Sequence, residues 1–272
     1  YHCDLKLPPG LFNRASNSAV HLMYHIAARS AHRIVTYTDD FATHSPYTAR
    51  YYNKVETILP PVILPETTQN DIKRFTSDNN PDSRSPVIGM AARFASEKGV
   101  EVLLDALPKV FQKYPNALVL YAGQYEDVMG EEEYARRLFP IIKDYQAKGQ
   151  WRFLGVLNPS QMASFYPNLD VLVVPSLNST ESFGLVQIEA MMNGVPVIAS
   201  NLPGVRQPVA ITGMGRIFDI GDAEGLAESL VSIFDEPDKY SGDPEAVARQ
   251  FSPDNNALEY EILYKRIMEE IQ

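Results

Sequence analysis

Residues 171–193 read VLVVPSLNSTESFGLVQIEAMMN. The opening run, 171–174, is continuously apolar and rich in β-branched residues, the pattern of a strand buried on both faces. Pro175 closes it, because proline cannot donate to a sheet ladder. A loop of small polar residues follows, and the pattern predicts a helix over 184–193 that opens at Ser182–Gly184. A helix start leaves its first N–H groups unpaired and carries about half a unit of positive charge, so it attracts anions. Gly184 would let a ligand come close to the backbone.

Glu181 and Glu189 have seven residues between them. On a continuous helix that is about two turns, or roughly 12 Å along the axis, comparable with an activated sugar measured from ribose to hexose across its diphosphate. Two such carboxylates could accept sugar hydroxyls at either end, with the phosphates at the helix start between them. A helix glutamate is ordinarily a solvated surface residue. Glu189, however, lies among Leu185, Val186, Ile188, Ala190, Met191 and Met192, a helix apolar almost all round and therefore buried, where a carboxylate needs a hydrogen-bond partner.

Outward from this stretch, apolar runs of strand length alternate with segments of helical period. Strands are predicted over 87–91, 117–122, 152–154, 169–175, 196–200 and 216–219, and helices over 100–114, 131–148, 159–166, 184–193 and 223–234. Six strands with five crossovers make a complete doubly wound α/β domain. Pro108 should kink or shorten the first of these helices. The first 84 residues differ: a helix over 11–31, short strands over 34–37 and 55–59, and two small helical stretches cannot close a sheet core of their own. The polar stretch 77–85, SDNNPDSRS, reads as a linker. The chain accordingly divides into a partial amino-terminal lobe with linker (1–84), a doubly wound domain (85–250) and a carboxy-terminal helix (251–272). That helix has Ser252 as N-cap, Pro253 at its first position and Tyr260, Leu263, Tyr264, Ile267 and Ile271 along one face.

A second polar cluster, Arg93-Phe-Ala-Ser-Glu-Lys98-Gly99, leaves the first strand of this domain just as Glu181 leaves the fourth. Arginine offers a rigid fork and lysine a mobile point charge, a combination suited to a diphosphate. Glu97 alone could neutralise the pair as ordinary surface charges. The position at a strand's carboxyl end favours the ligand.

Composition excludes several classes. With 45% hydrophobic residues in 272, the chain can bury a core without staples. Its 24 Lys+Arg against 34 Asp+Glu give a net charge of −10, which speaks against nucleic acid and mildly against an anionic bilayer as partners. Cys3, the single cysteine, allows no internal disulfide and fits a reducing, cytoplasmic setting. No apolar run reaches the roughly 18 residues that cross a bilayer. The chain starts at Tyr1 rather than Met and reads as a fragment or processed product, so any targeting signal is unreadable.

Taken in order, Arg93…Lys98-Gly99, Arg152-Phe-Leu-Gly155, Pro175-Ser176…Glu181-Ser-Phe-Gly184…Glu189-Ala190, Gly194-Val-Pro196-Val-Ile-Ala-Ser200 and Pro203-Gly204-Val205 resemble glycosyltransferase family 4, retaining enzymes of the GT-B fold in which two Rossmann-like lobes face a cleft. The resemblance implies a hexosyltransferase of glycoconjugate or polysaccharide synthesis, using a UDP- or GDP-sugar and a carbohydrate, lipid-linked or small-molecule acceptor, with peripheral membrane contact where the acceptor is a lipid. It implies that Arg93 and Lys98 bind the diphosphate, that Glu181 holds the transferred sugar, and that Ser182 and the N–H groups of Phe183, Gly184 and Leu185 meet sugar and phosphate. It further places the ribose on Glu189, the base at the backbone of Val156, and His2 at the wall of the catalytic cleft. No cofactor or metal is implied, in keeping with the lack of any Asp-x-Asp element.

The chain departs from the pattern at Gln207, where relatives often carry glutamate, and in the incomplete amino-terminal lobe. Two other readings stay open: a donor-binding module without transfer, and a nucleotide-sugar epimerase of the same fold. A dinucleotide oxidoreductase lacks its G-x-G-x-x-G after the first strand. His21 and His25 stand four apart, as zinc ligands can, but without the glutamate of a metalloprotease motif.

Overall fold

The computed structural model describes residues 1–4 and 11–272. Helix α1 (Leu11–Ser30), strand β1 (Ile34–Thr36), helix α2 (Asp39–His44), strand β2 (Val55–Thr57) and helix α3 (Gln69–Asn79) come first. Strand and helix then alternate: β3 (Val87–Ala91), α4 (Val100–Lys113), β4 (Leu118–Ala122), α5 (Glu132–Ala147), β5 (Trp151–Gly155), α6 (Pro159–Phe165), β6 (Val171–Val174), α7 (Leu185–Met191), β7 (Val197–Ser200), α8 (Gln207–Thr212), β8 (Gly215–Phe218) and α9 (Ala223–Asp235). Two helices end the chain, α10 (Pro244–Gln250) and α11 (Pro253–Ile271).

Strands β3 to β8 form one parallel sheet in the order β5-β4-β3-β6-β7-β8, the doubly wound arrangement in which the chain starts at the centre, fills one side and crosses over to fill the other. Period-two alternation sends its apolar residues to two cores. Ile88, Met90, Val119, Tyr121, Val171, Val173 and Ile198 face α4, α5 and α9, where they meet Leu103, Leu107, Ile142 and Leu230. Val87, Leu118, Leu120, Leu172, Val174, Val197 and Ala199 face the opposite layer of Phe165, Phe183, Ile188, Val209 and Phe251. A sheet covered on both faces requires such unbroken apolar strands.

The amino-terminal strands β1 and β2 pair in parallel, Ile34 opposite Val55. Their cover includes α11, whose Asn256 Nδ2 donates to Leu59 O at 2.7 Å and whose Arg266 pairs with Glu56 at 2.7 Å. Ser252 caps α11 by accepting from the Asn255 N–H, as its sequence indicates.

Two local expectations need correction, the early end of α4 at Pro108 and the extent of the linker. Helix α4 runs through Pro108 to Lys113. A proline inside a helix costs about 3 kcal/mol, but Pro108 lies on the solvent side, while Leu103, Leu107 and Val110 are buried and α4 packs along α9; burial of about 1.5–3 kcal/mol for each such side chain outweighs the proline. The stretch 77–85 is not wholly linker, since α3 continues to Asn79. A capping box between Thr68 and Asp71 starts that helix, and Phe75, edge-on to Phe165, anchors it.

Leu107→Ala should remove about 2–5 kcal/mol of stability. Urea denaturation reads this as a lower midpoint with an unchanged slope.

Candidate functional site

Strands β3 and β6 are neighbours in space, yet the chain leaves their carboxyl ends toward opposite sides of the sheet. The loops 92–99 and 175–184 therefore flank a crevice at the switch point of the topology, where doubly wound folds bind ligands. Both clusters singled out in the sequence lie on these loops.

The loops are tied to each other. Leu177 N–H donates to Glu97 O at 2.9 Å, and Ser200 Oγ donates to Ser176 O at 2.7 Å. Gly99 has φ +69°, and a Cβ there would sit 2.1 Å from Pro175 O, so only glycine allows this approach. Asn178 Oδ1 accepts from Thr180 N–H at 3.0 Å and Thr180 Oγ1 at 2.6 Å, a side-chain turn of the kind asparagine favours. The result carries Lys98 Nζ to 2.6 Å from Glu181 Oε2, with side chains 20% and 23% exposed. The amino-terminal residues reach the same place: Asp4 N–H donates to Ser179 O at 3.3 Å. The Cys3 thiol is pushed up by burial and by the charges of Asp4 and Glu181, with Lys98 opposing.

Helix α7 begins at Leu185, one residue after Gly184, which has φ 78° and supplies no side-chain cap. Ser182–Gly184 thus form the turn before the helix rather than its first residues, and Glu181 is a loop residue. The rise of about 12 Å expected for a continuous helix does not apply, because the left-handed Gly184 breaks the helical path. Ser182 and Phe183 are buried, yet among the described residues the N–H groups of Ser182, Phe183 and Gly184 donate to no protein acceptor. Buried backbone donors are rarely left without a partner.

Glu189, on α7, accepts a hydrogen bond from the fully buried Tyr166 hydroxyl. Burial raises its carboxyl above the usual 4.5, with the Tyr166 hydrogen bond opposing. The carboxylate expected to be buried is only half-buried, since α7 is not covered all round and its Leu185 is exposed, but it does have a hydrogen-bond partner.

The remaining candidates are more dispersed. Arg93 is 55% exposed and pairs with Glu97 at 2.7 Å, not with the Lys98–Glu181 pair. Val156 follows β5 on the same sheet edge, two strands from β3, or about 10 Å. A cavity of about 730 Å³ opens beside it, lined by Leu154, Leu157 and Asn158 with residues of α3 and α6, and includes neither Lys98 nor Glu181. His2 is exposed and lies 5.3 Å, ring to ring, from Tyr37, whose ring lies 5.8 Å from Phe183. His25 Nδ1 is 3.0 Å from the Tyr51 hydroxyl and His21 packs on Tyr24. Among the described residues no cluster of three or more His, Cys, Asp or Glu could hold a metal ion, and no helix is long and apolar enough to cross a membrane.

Sequence reasoning missed Tyr166, Asp4 and the side-chain turn at Asn178. The Asn-Ser-Thr run did carry a turn signature; no local signal pointed to the others, which act across the fold.

The family model described as “Glycosyl transferases group 1” matches residues 71–249. Phosphatidyl-myo-inositol mannosyltransferase of Mycolicibacterium smegmatis is 32% identical over 165 residues, covering 61% of this chain and 40% of that protein. D-inositol 3-phosphate glycosyltransferase of Corynebacterium urealyticum is 29% identical over 187 residues, with 66% and 43% covered. This chain thus spans about two fifths of the curated relatives it matches. Among solved structures, Anabaena Alr3699/HepE in complex with UDP-glucose superposes with a TM-score of 0.78 at 21% identity, over 97% of this chain and 71% of that one. Sucrose-phosphate synthase from Thermosynechococcus elongatus gives 0.75 at 22%, over 93% and 62%. The fold shared with these structures is GT-B.

Gly99→Ala should cost more than about 1 kcal/mol and separate the two loops, a loss that thermal unfolding detects. For Glu189, a raised carboxyl value means that stability is complete below pH 4.5 and declines as the pH rises through the folded value. Glu189→Gln should remove that decline, raising the melting temperature at pH 7 by about 1–3 °C and leaving it unchanged at pH 4.

Proposed function

The chain belongs to the group 1 glycosyl transferases, and from that premise we propose that it serves a retaining transfer of a hexose from a nucleoside-diphosphate sugar to a hydroxyl acceptor. The observation that carries the reading is the Lys98–Glu181 contact at 2.6 Å in the crevice between β3 and β6. A cation and a hydroxyl-accepting carboxylate held side by side there match a donor whose phosphate and sugar are adjacent.

In this reading Lys98 and the free N–H groups of Ser182–Gly184 take the diphosphate, and Arg93 swings from Glu97 to add a forked contact. Glu181 accepts from hydroxyls of the hexose and Glu189 from those of the ribose. The bond from the anomeric carbon to the diphosphate oxygen breaks, leaving negative charge on the nucleoside diphosphate, and fixed cations and backbone dipoles stabilise that charge most as it develops. The acceptor oxygen bonds to the anomeric carbon on the face the leaving group vacates, and its proton passes to the departing diphosphate. No protein nucleophile is needed, and none of the proposed steps calls for a metal or cofactor. His2, near Tyr37 at the cleft wall, would face the acceptor. The base would meet the backbone of Val156. The UDP-glucose in the name of one solved relative, and the phosphatidyl-myo-inositol in those of curated relatives, support a sugar nucleotide as donor and a lipid-linked or inositol acceptor reached by peripheral membrane contact on the cytoplasmic side.

The share of relatives that this chain covers, about two fifths, favours a second reading in which this stretch binds donor and transfers only within a longer protein. Calorimetry with UDP and GDP on this chain tests the site directly. One of the two should bind, and Lys98→Ala should weaken it by about tenfold to a hundredfold. Glu181→Gln should weaken the corresponding sugar nucleotide more than the free diphosphate. Binding of neither diphosphate, or equal binding by Lys98→Ala, would overturn the assignment.

A further inference from the structure

Loop 175–184 is supported from below by a second loop, 202–206, which in turn is held by the amino-terminal segment. Asp40, in α2, accepts three hydrogen bonds from one place: from Gly204 N–H at 2.8 Å and Arg206 Nε at 2.9 Å on Oδ2, and from Arg206 Nη2 on Oδ1. The other arm of the guanidinium, Nη1, donates to Asn201 Oδ1 at 3.0 Å. This is a bidentate pair, with side chains 13% (Asp40) and 26% (Arg206) exposed. The Asp40 carboxyl is held below the usual range: burial opposes this, but the hydrogen bonds from Arg206 and Gly204 prevail.

What the pair holds is close to the ligand loop. Gly204 has φ +84°, and a Cβ there would lie 2.1 Å from Ser182 O and 3.1 Å from Phe41 Cβ. The backbone at 204 is therefore wedged between the residue that follows Glu181 and a side chain of α2. Phe183, next in the loop, is 1% exposed and touches Tyr37 of the amino-terminal segment and Phe251.

We propose that Asp40 and Arg206 are positioning residues for the donor site: their ion pair fixes the height of Gly204, which fixes Ser182 and with it the Glu181 carboxylate and the unpaired N–H groups of 182–184. Neither residue touches the donor. The proposal rests on the donor-site reading for its functional consequence but not for its structural one. A displacement of about 1 Å in a binding group can cost a hundredfold, so a strut of this kind has a measurable effect.

The test is hydrogen exchange of the amides of 179–186 in the folded chain, together with UDP and GDP affinity by calorimetry, in Asp40→Asn, Arg206→Lys and Arg206→Ala. Each variant should speed exchange in 179–186 by about tenfold or more while β3 and β6 stay protected, and should weaken the diphosphate by about tenfold. Added guanidinium ion should restore both properties in Arg206→Ala but not in Lys98→Ala, and Arg206→Lys, which keeps charge without the fork, should remain impaired. Exchange and affinity equal to wild type in all three variants would overturn the proposal, as would loosening spread evenly over the whole sheet. If wild type binds neither diphosphate while the variants still loosen 179–186, the strut stands and the donor-site reading falls.

Discussion

A lysine and a glutamate that are 83 residues apart in sequence meet at 2.6 Å because two parallel strands lie side by side and their exits turn away from each other. That divergence follows from the strand order and needs no special residue. What the particular sequence adds is closeness. Gly99 lets the first loop press on the carbonyl of Pro175, and the Leu177–Glu97 hydrogen bond stitches the two exits into one surface. Without that contact the charges would sit on separate loops, each solvated and each of little consequence.

The same region concentrates features that cost stability. Glu189 is a carboxylate in a largely apolar layer, held by one tyrosine hydroxyl. Backbone donors at 182–184 have no partner among the described residues although Ser182 and Phe183 are buried. Left-handed glycines stand at both loop ends. Elsewhere in the sheet the rules of apolar alternation are followed closely, and local violations gathered at one edge are the usual sign of a place kept for binding rather than for folding.

Much of this was legible in the sequence because it is local. All six strands of the main sheet fall within two residues of their predicted bounds at either end, since the four inner strands are buried on both faces and almost wholly apolar, while only the edge strands β5 and β8 carry an arginine, Arg152 and Arg216. Lys98 and Glu181 were each singled out by their place at strand ends and by the family resemblance, but their contact with each other was not. Helix α7 was misjudged at its start because Gly184 reads equally as a helix opening and as a left-handed break. The length of α4 past Pro108 was not legible because it depends on the burial of Leu103, Leu107 and Val110, which helix propensity does not carry. The Asp40–Arg206 fork, the Tyr166 hydroxyl on Glu189 and the Asp4 amide on Ser179 left no local trace, as each joins segments whose proximity only the completed fold creates.

The fork closes a stretch of 166 residues, and the contact of Asn256 with Leu59 closes 197. Loops of that span close late, after the nearer pairings of β3 with β4 and of β6 with β7 have formed. The sheet can thus assemble from its own neighbours while the wall of the crevice at its edge is still slack, and that wall tightens only when segments far apart in the chain come together.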